Sequence, residues 1–245
     1  MSIPGLSEWL DTPAGRYLIE WEQARLDSVL ADVFGYNAVQ LGLPEYALLR
    51  ANRMPYRFQC ADRGTVAVLA LDDALPFASA SLDLVVLPHV LEFARRPHQV
   101  LREVERVLVP EGSVVIAGLN PFSLWGLRRL AARKTGAVPW RGQYLSAPRV
   151  RDWLTLLGFE TPGAQFGCYA PATSTEKWLE RWRFMDRAGP RWWPVCGAVY
   201  VMHGIKRVQG ARLIMPNWRE KRATAKRLSA VTQRDIHAGK ARNSQ

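Results

Sequence analysis

Two side chains in this sequence could do chemistry on their own account. His89 follows Leu87 and Pro88 at the end of an apolar run, Leu82 to Leu87. An imidazole titrates near neutrality, so one held there can polarise or deprotonate a bound molecule. Asn120 stands before Pro121 at the exit of a second run, Ser113 to Leu119, where an amide can orient such a molecule. Both have plainer readings, as a structural histidine and a strand-to-loop turn. Three carboxylates add to them. Asp62 lies 20 residues after Gly42, near the spacing of the acid that receives ribose hydroxyls in dinucleotide folds. Beside Arg63-Gly64 it also suits a simple turn. Asp72 and Asp73 close the run Thr65 to Leu71 and could be turn or cap residues. Cys60, Cys168 and Cys196 are odd in number and far apart, which fits neither a disulfide framework nor a zinc cluster, so no metal is expected. A reducing cytoplasm suits them.

The elements that must position these residues alternate. Residues 1–36 form a helical approach, with Trp21, Leu26, Val29, Leu30 and Val33 at helical spacing and Gly35 as a stop. Asn37 to Leu41 is a first strand, Glu45 to Asn52 a helix, Tyr56 to Cys60 a weaker strand, and Thr65 to Leu71 a third. Leu82 to Leu87 makes a fourth. Pro97 opens a helix whose apolar face carries Val100, Leu101, Val104, Val107 and Leu108. Pro110-Glu111-Gly112 breaks it before the strand Ser113 to Leu119. Val150 to Leu157 is another helix, Phe159 enters a strand, and Val195 to Lys206 supplies the last one. Residues 162–194 read as an irregular, Trp-rich insertion in an α/β domain spanning 37–208. Continuous apolar strands between amphipathic helices predict an α/β fold with a mostly parallel sheet covered on both faces.

Of the 245 residues, 48% are hydrophobic and 22% charged, with a net charge of +11. That charge is concentrated at one end. Residues 206–245 hold eleven lysines and arginines against two acids, for +9, leaving only +2 on the 205 before them. Such a tail could grip nucleic-acid phosphates, meet an anionic membrane surface, or remain a flexible solvated segment. The apolar window Trp192 to Met202 is too short for a transmembrane segment. Oligomeric state is left open.

From Asp72 to Ile116 the motifs fall in a specific order: Asp72-Asp73-Ala74-Leu75-Pro76-Phe77, Leu82-Asp83-Leu84-Val85-Val86, Arg102-Glu103-Val104-Glu105-Arg106-Val107-Leu108, and Val109-Pro110-Glu111-Gly112. In order and spacing the stretch resembles the small-molecule, quinone-biosynthesis-like branch of the class I S-adenosylmethionine-dependent methyltransferases. Gly118 to Arg128 and Asp152-Trp153-Leu154 look like an uncharacterised bacterial subfamily of it with a degenerate first glycine motif. The resemblance implies a Rossmann-like fold with a seven-stranded sheet, S-adenosylmethionine as cofactor, and methylation of an unknown small-molecule acceptor.

It also implies a site. Gln40, Leu41 and Gly42 would form the first cofactor loop, although Gly42 is its one remaining glycine and Pro44 removes a backbone donor. Asp62 would hold the ribose. Asp72, Asp73 and Ala74 would face the adenine. Leu87 and Pro88 would line the cofactor, with His89 and Asn120 towards the acceptor. Trp125, Trp140, Trp178, Trp182, Trp192 and Trp193 could wall an aromatic or lipid-like acceptor pocket, or serve packing and interfaces. The eroded loop supports an alternative, a catalytically inactive binding or scaffold protein of the same fold. Methylation of RNA is a third reading resting on the tail, but Leu87-Pro88-His89 lacks the Asn/Asp-Pro-Pro-Tyr/Phe motif of base-amine enzymes.

Overall fold

The computed structural model describes residues 5–132, 138–173 and 175–207. The tail beyond Arg207, and with it every expectation placed there, lies outside the described residues. Two helices come first, α1 (Leu6–Leu10) and α2 (Pro13–Leu30). Thr12 caps α2 by accepting a hydrogen bond from the Gly15 N–H, and Pro13 sits where a missing N–H costs nothing. Strands β1 (Asn37–Leu41), β2 (Tyr56–Ala61), β3 (Val68–Leu69) and β4 (Leu82–Pro88) follow, then helices α3 (Val90–Phe93) and α4 (Pro97–Val107). Next come β5 (Leu108–Leu119), α5 (Leu124–Ala132), α6 (Ala147–Leu156), β6 (Phe159–Glu160), β7 (Ala164–Gly167), α7 (Glu176–Trp182), α8 (Met185–Trp192) and β8 (Val199–Lys206).

The sheet order is β3-β2-β1-β4-β5-β8-β6. The first five strands are parallel and β8 is antiparallel to β5. β6 and β7 both pair with β8, so they share one edge position interrupted at 161–163. That makes eight strands in seven positions. One face, with Ala38, Leu84, Val86, Val115 and Ala117, is covered by α2; the other, with Val39, Val85, Leu87, Val114 and Ile116, by α4 and α6.

The motifs behind the resemblance prove to be structural clamps. Asp83 accepts hydrogen bonds from the Tyr36 and Asn37 N–H groups and fixes the start of β1 against β4. Arg106 on α4 donates to the Leu75 and Phe77 carbonyls and pairs with Glu103, which accepts from the Leu75 N–H. The Leu75-Pro76-Phe77 turn is thereby tied to the helix.

Several expectations need correction. The segment 45–52 is a series of turns, not a helix: its backbone bonds go to Gln40 and to short-range turns instead of a helical ladder. The third strand shrinks from Thr65–Leu71 to two residues, because only Cys60 and Ala61 on β2 are left to pair with it. The insertion at 162–194 is ordered, carrying β7, α7 and α8. Helix α5 adds to the expected elements: Leu124, Leu127 and Leu130 recur at helical spacing, but Pro121 precedes them and Gly126 interrupts them.

Candidate functional site

In an open parallel sheet, ligands bind beyond the carboxyl ends of the strands where strand order reverses. Here the reversal falls between β1 and β4. The surrounding rim is formed by the residues after Leu41, Ala61, Leu69, Pro88 and Leu119.

The β1 end is closed by one side chain. Gly42 and Leu43 both take left-handed backbone, at φ 82° and 45°, the first free for glycine and the second strained for leucine. Gln40, fully buried, stabilises this path. Its Nε2 donates to the carbonyls of Gly42, Leu43 and Tyr46 at 3.0, 2.9 and 2.9 Å, and its Oε1 accepts from the Leu48 N–H at 3.0 Å. The Gly42 N–H donates to Cys60 O at 2.9 Å. Leu43 turns into the core beneath α2. A Cβ built on Gly64 would lie 3.8 Å from Pro44 Cγ, so the loops after β1 and β2 meet. The expected cofactor contacts from the Gln40 amide and the Gly42 N–H are therefore corrected: the amide is consumed by its own loop and the N–H by the Cys60 carbonyl on β2. Leu41 is buried with the other face of the sheet.

Beyond β2 and β3 the carboxylates diverge. Asp62 lies 3.7 Å from Arg63. Asp73 pairs with exposed Arg96 at 3.0 Å. Leu71 and Ala74 bridge a tight turn with the two aspartates at its corner. The Asp72 Oδ2 is buried with no hydrogen-bond partner among the described residues. Burial, helped by the Asp73 charge, pushes its pKa up. A buried carboxylate oxygen without a partner is costly and calls for a donor.

The β4 end holds the most unusual group. His89, in left-handed backbone at φ 55°, is 1% exposed and lies between two buried carboxylates. Its Nε2 is 2.9 Å from Glu22 Oε1 on α2, and its Nδ1 is 3.1 Å from Glu92 Oε1 on α3. Glu92 Oε1 also accepts from the Leu119 N–H at 2.6 Å. Burial pulls the imidazole pKa down, but Glu22 and then Glu92 outweigh it and push it up to about 10. A histidine that stays protonated at neutral pH has no lone pair to accept a proton. The expectation of His89 as a base is corrected: it is the cationic centre of a buried Glu22–His89–Glu92 lock between α2 and the sheet. Glu22 was missed, yet its signal was present, since helical spacing sets it on the face of Leu18, Ile19 and Leu26. Leu87 and Pro88 are buried just before the lock.

Asn120 is also consumed. Its Nδ2 donates to the Val195 and Gly197 carbonyls at 2.8 and 2.9 Å, and its Oδ1 accepts from the Phe122 N–H at 3.1 Å. It orients no acceptor directly; it fixes the turn after β5 to the segment before β8. Between these segments opens a cavity of about 490 Å³ with almost wholly apolar walls, including Phe122, Leu124, Leu127, Tyr169, Met185 and Trp193. Close packing of the Tyr169 ring on Gly189 shapes one side, where any Cβ would lie 2.3 Å from the ring. Of the tryptophans, Trp125 is buried against Trp9 and Trp140 in the core, whereas Trp178, Trp192 and Trp193 are exposed. A second hollow of about 610 Å³, lined by Gln40, Arg50, Arg57 and Gln59, lies over β1 and β2 where the expected helix is missing. Among the described residues no cluster of side chains suits a metal ion.

Strand order, switch point and helical layers define the fold of the class I methyltransferases. Residues 24–116 match the family model described as a methyltransferase domain. The uncharacterized protein YafS of Escherichia coli is 31% identical over 154 residues, covering 62% of this chain and 64% of that protein. A malonyl-[acyl-carrier protein] O-methyltransferase of Laribacter hongkongensis is 36% identical over 100 residues, 41% of this chain and 33% of that protein. The chain thus spans less than two thirds of the length of these relatives. Among solved structures, a Thermotoga maritima SAM-dependent methyltransferase superposes with a TM-score of 0.56 at 14% identity, covering 78% of this chain and 97% of that one. A chain from the complex between the Haloferax volcanii Trm112 methyltransferase activator and its methyltransferase gives 0.58 at 16% identity, over 84% of this chain and 97% of that one.

Proposed function

We propose that the chain is an S-adenosylmethionine-dependent methyltransferase, working in the cytoplasm on a small apolar acceptor. The observation that carries this reading is the methyltransferase-domain match over residues 24–116, on a sheet whose switch point lies between β1 and β4. The fit to the cofactor is strongest at the adenine end. There the unpartnered Asp72 oxygen would accept from the exocyclic amine, with Asp73 and Ala74 alongside and Asp62 towards the ribose. Leu87 and Pro88 would supply apolar contact. When bound, the cofactor supplies a methyl group activated on a sulfonium.

The chain's own part is positioning. In-line alignment supplies much of the acceleration of such a transfer, and an acceptor that ionises readily needs no base. That requirement matters here, because His89 is held protonated. The apolar cavity beyond β5 favours an acceptor with hydrocarbon or aromatic surface. Calorimetry with S-adenosylhomocysteine tests the reading: micromolar binding is expected, weakened about tenfold in Asp72→Asn, the loss of one charge-assisted hydrogen bond. Flat titrations of folded protein with both S-adenosylmethionine and S-adenosylhomocysteine would overturn it.

The Gln40 cage favours a second reading, a methyltransferase fold retained for binding alone. A methylated product recovered from a metabolite mixture incubated with the protein would rule that out.

A further inference from the structure

The cavity beyond β5 opens through a face of unusual composition. On α5, Leu124, Leu127 and Leu130 recur at intervals of three and are exposed, with Phe122 ahead of them 68% exposed. Opposite them, the end of α8 and the turn after it read Pro190-Arg191-Trp192-Trp193-Pro194-Val195, every residue exposed and Trp192 71% so. Leu124, Leu127 and Trp193 line one cavity, which places the two segments side by side. A contiguous apolar surface of this kind on a water-facing protein marks an interaction site.

Its chemistry narrows the occupant. Arg187 and Arg191 are exposed on α8, whereas the Arg128 guanidinium of α5 is engaged by the Ala172 carbonyl and the Trp140 ring. Asp186, the acid of α8, is turned inward, where it accepts from the Tyr17 hydroxyl and the Tyr169 N–H. The face thus pairs protruding tryptophan, leucine and phenylalanine with the exposed Arg187 and Arg191. Tryptophans seated at headgroup depth, aliphatic side chains below them and arginines among the phosphates constitute the pattern of an interfacial membrane contact. A nucleic acid would not need the leucines, and the arginines beside the tryptophans favour an anionic headgroup layer over a protein partner.

We infer that the α5/α8 face docks on an anionic lipid bilayer, with Trp192 and Trp193 inserted at the headgroup boundary. The cavity mouth then faces the lipid, so a molecule dissolved in the bilayer reaches it without crossing water. The docking stands whether or not the chain binds S-adenosylmethionine.

Flotation of the full chain with vesicles tests this, comparing phosphatidylcholine alone with phosphatidylcholine containing phosphatidylglycerol. Binding to the anionic vesicles is expected, falling at least about tenfold in the Trp192→Ser/Trp193→Ser double variant. Both residues are exposed, so the variant should keep its circular dichroism. Bromine-labelled acyl chains should quench part of the tryptophan emission of the wild-type chain and much less of the double variant. Separate substitution of Arg219, Lys221, Arg222, Lys226 and Arg227 by glutamine isolates the basic tail. Three results would overturn the inference: no binding to anionic vesicles at low salt, equal binding by the double variant, or binding abolished by the tail substitutions and untouched by the tryptophan pair. A stable dimer in solution that dissociates on Trp192→Ser/Trp193→Ser would assign the face to a second copy instead.

Discussion

The carboxyl rim of the sheet behaves differently at its two ends. Over β1 and β2 its loops are tied down from within, beside a polar hollow of about 610 Å³: Gln40 binds four backbone groups of the loop that follows it, and Pro44 meets the loop after β2. Over β5 and β8 it stands apart, held open by Asn120, with an apolar hollow of about 490 Å³ between the walls. Both ends use one buried amide as the organiser. At the first it ties a loop to itself beside a polar hollow; at the second it ties two distant segments together beside an apolar one. A loop with a single glycine can close this end of the sheet, because a side chain satisfies its backbone groups.

The His89 lock lies between the two ends, and breaking it should have the largest effect. His89→Ala leaves two carboxylates buried without their cation and should cost about 3–5 kcal/mol in denaturant unfolding. A loss below about 1 kcal/mol would show that the cluster is hydrated and loose. Titration should produce the same change gradually. Since the folded pKa of about 10 exceeds the ordinary 6.5, the lock's contribution is complete below pH 6.5 and is lost as pH rises through 10. Wild-type stability should fall across that window relative to the alanine variant; parallel curves would deny the imidazolium.

Gln40→Ala should come next, at about 2–3 kcal/mol, because it strands several carbonyls and the Leu48 N–H in the interior. Hydrogen exchange should speed up in 42–48 and stay unchanged at β5, which sharpens the contrast between the ends. Asn120→Ala should cost less, about 1–2 kcal/mol, since the Val195 and Phe122 groups lie near solvent. Its effect should appear as faster proteolysis around 190–197, and loss of protection over β1 instead would contradict the division drawn here.

Much of the fold was legible in the residues. Asn37–Leu41 and the start of α4 at Pro97 fall where apolar runs and a proline placed them, and β4 extends only one residue beyond its apolar run. The turns at 45–52 were misread because Glu45 to Asn52 is rich in helix formers, and propensity lost to the pull of Gln40. Of the site, the sequence singled out His89, Asn120 and Gln40 as important positions and misjudged what they do. Each was expected to face a ligand, and each is saturated by protein. Asp72, in contrast, retains a buried oxygen without a hydrogen-bond partner among the described residues.

The chain's local pattern determined the alternation of strands and helices, since burial on one or two faces imposes periods readable over a few residues. It also laid out the Leu75-Pro76-Phe77 and Arg102-to-Leu108 motifs in order along 72–108, whose clamp only the folded chain makes. Only the tertiary structure decided that Glu22 would meet His89, that Asn120 would hold Val195, and that Trp125 would be core while Trp192 is surface. Those outcomes depend on groups 67 and 75 positions apart in the chain, and the state of a polar side chain is set by its partners and its burial, neither of which a local pattern contains.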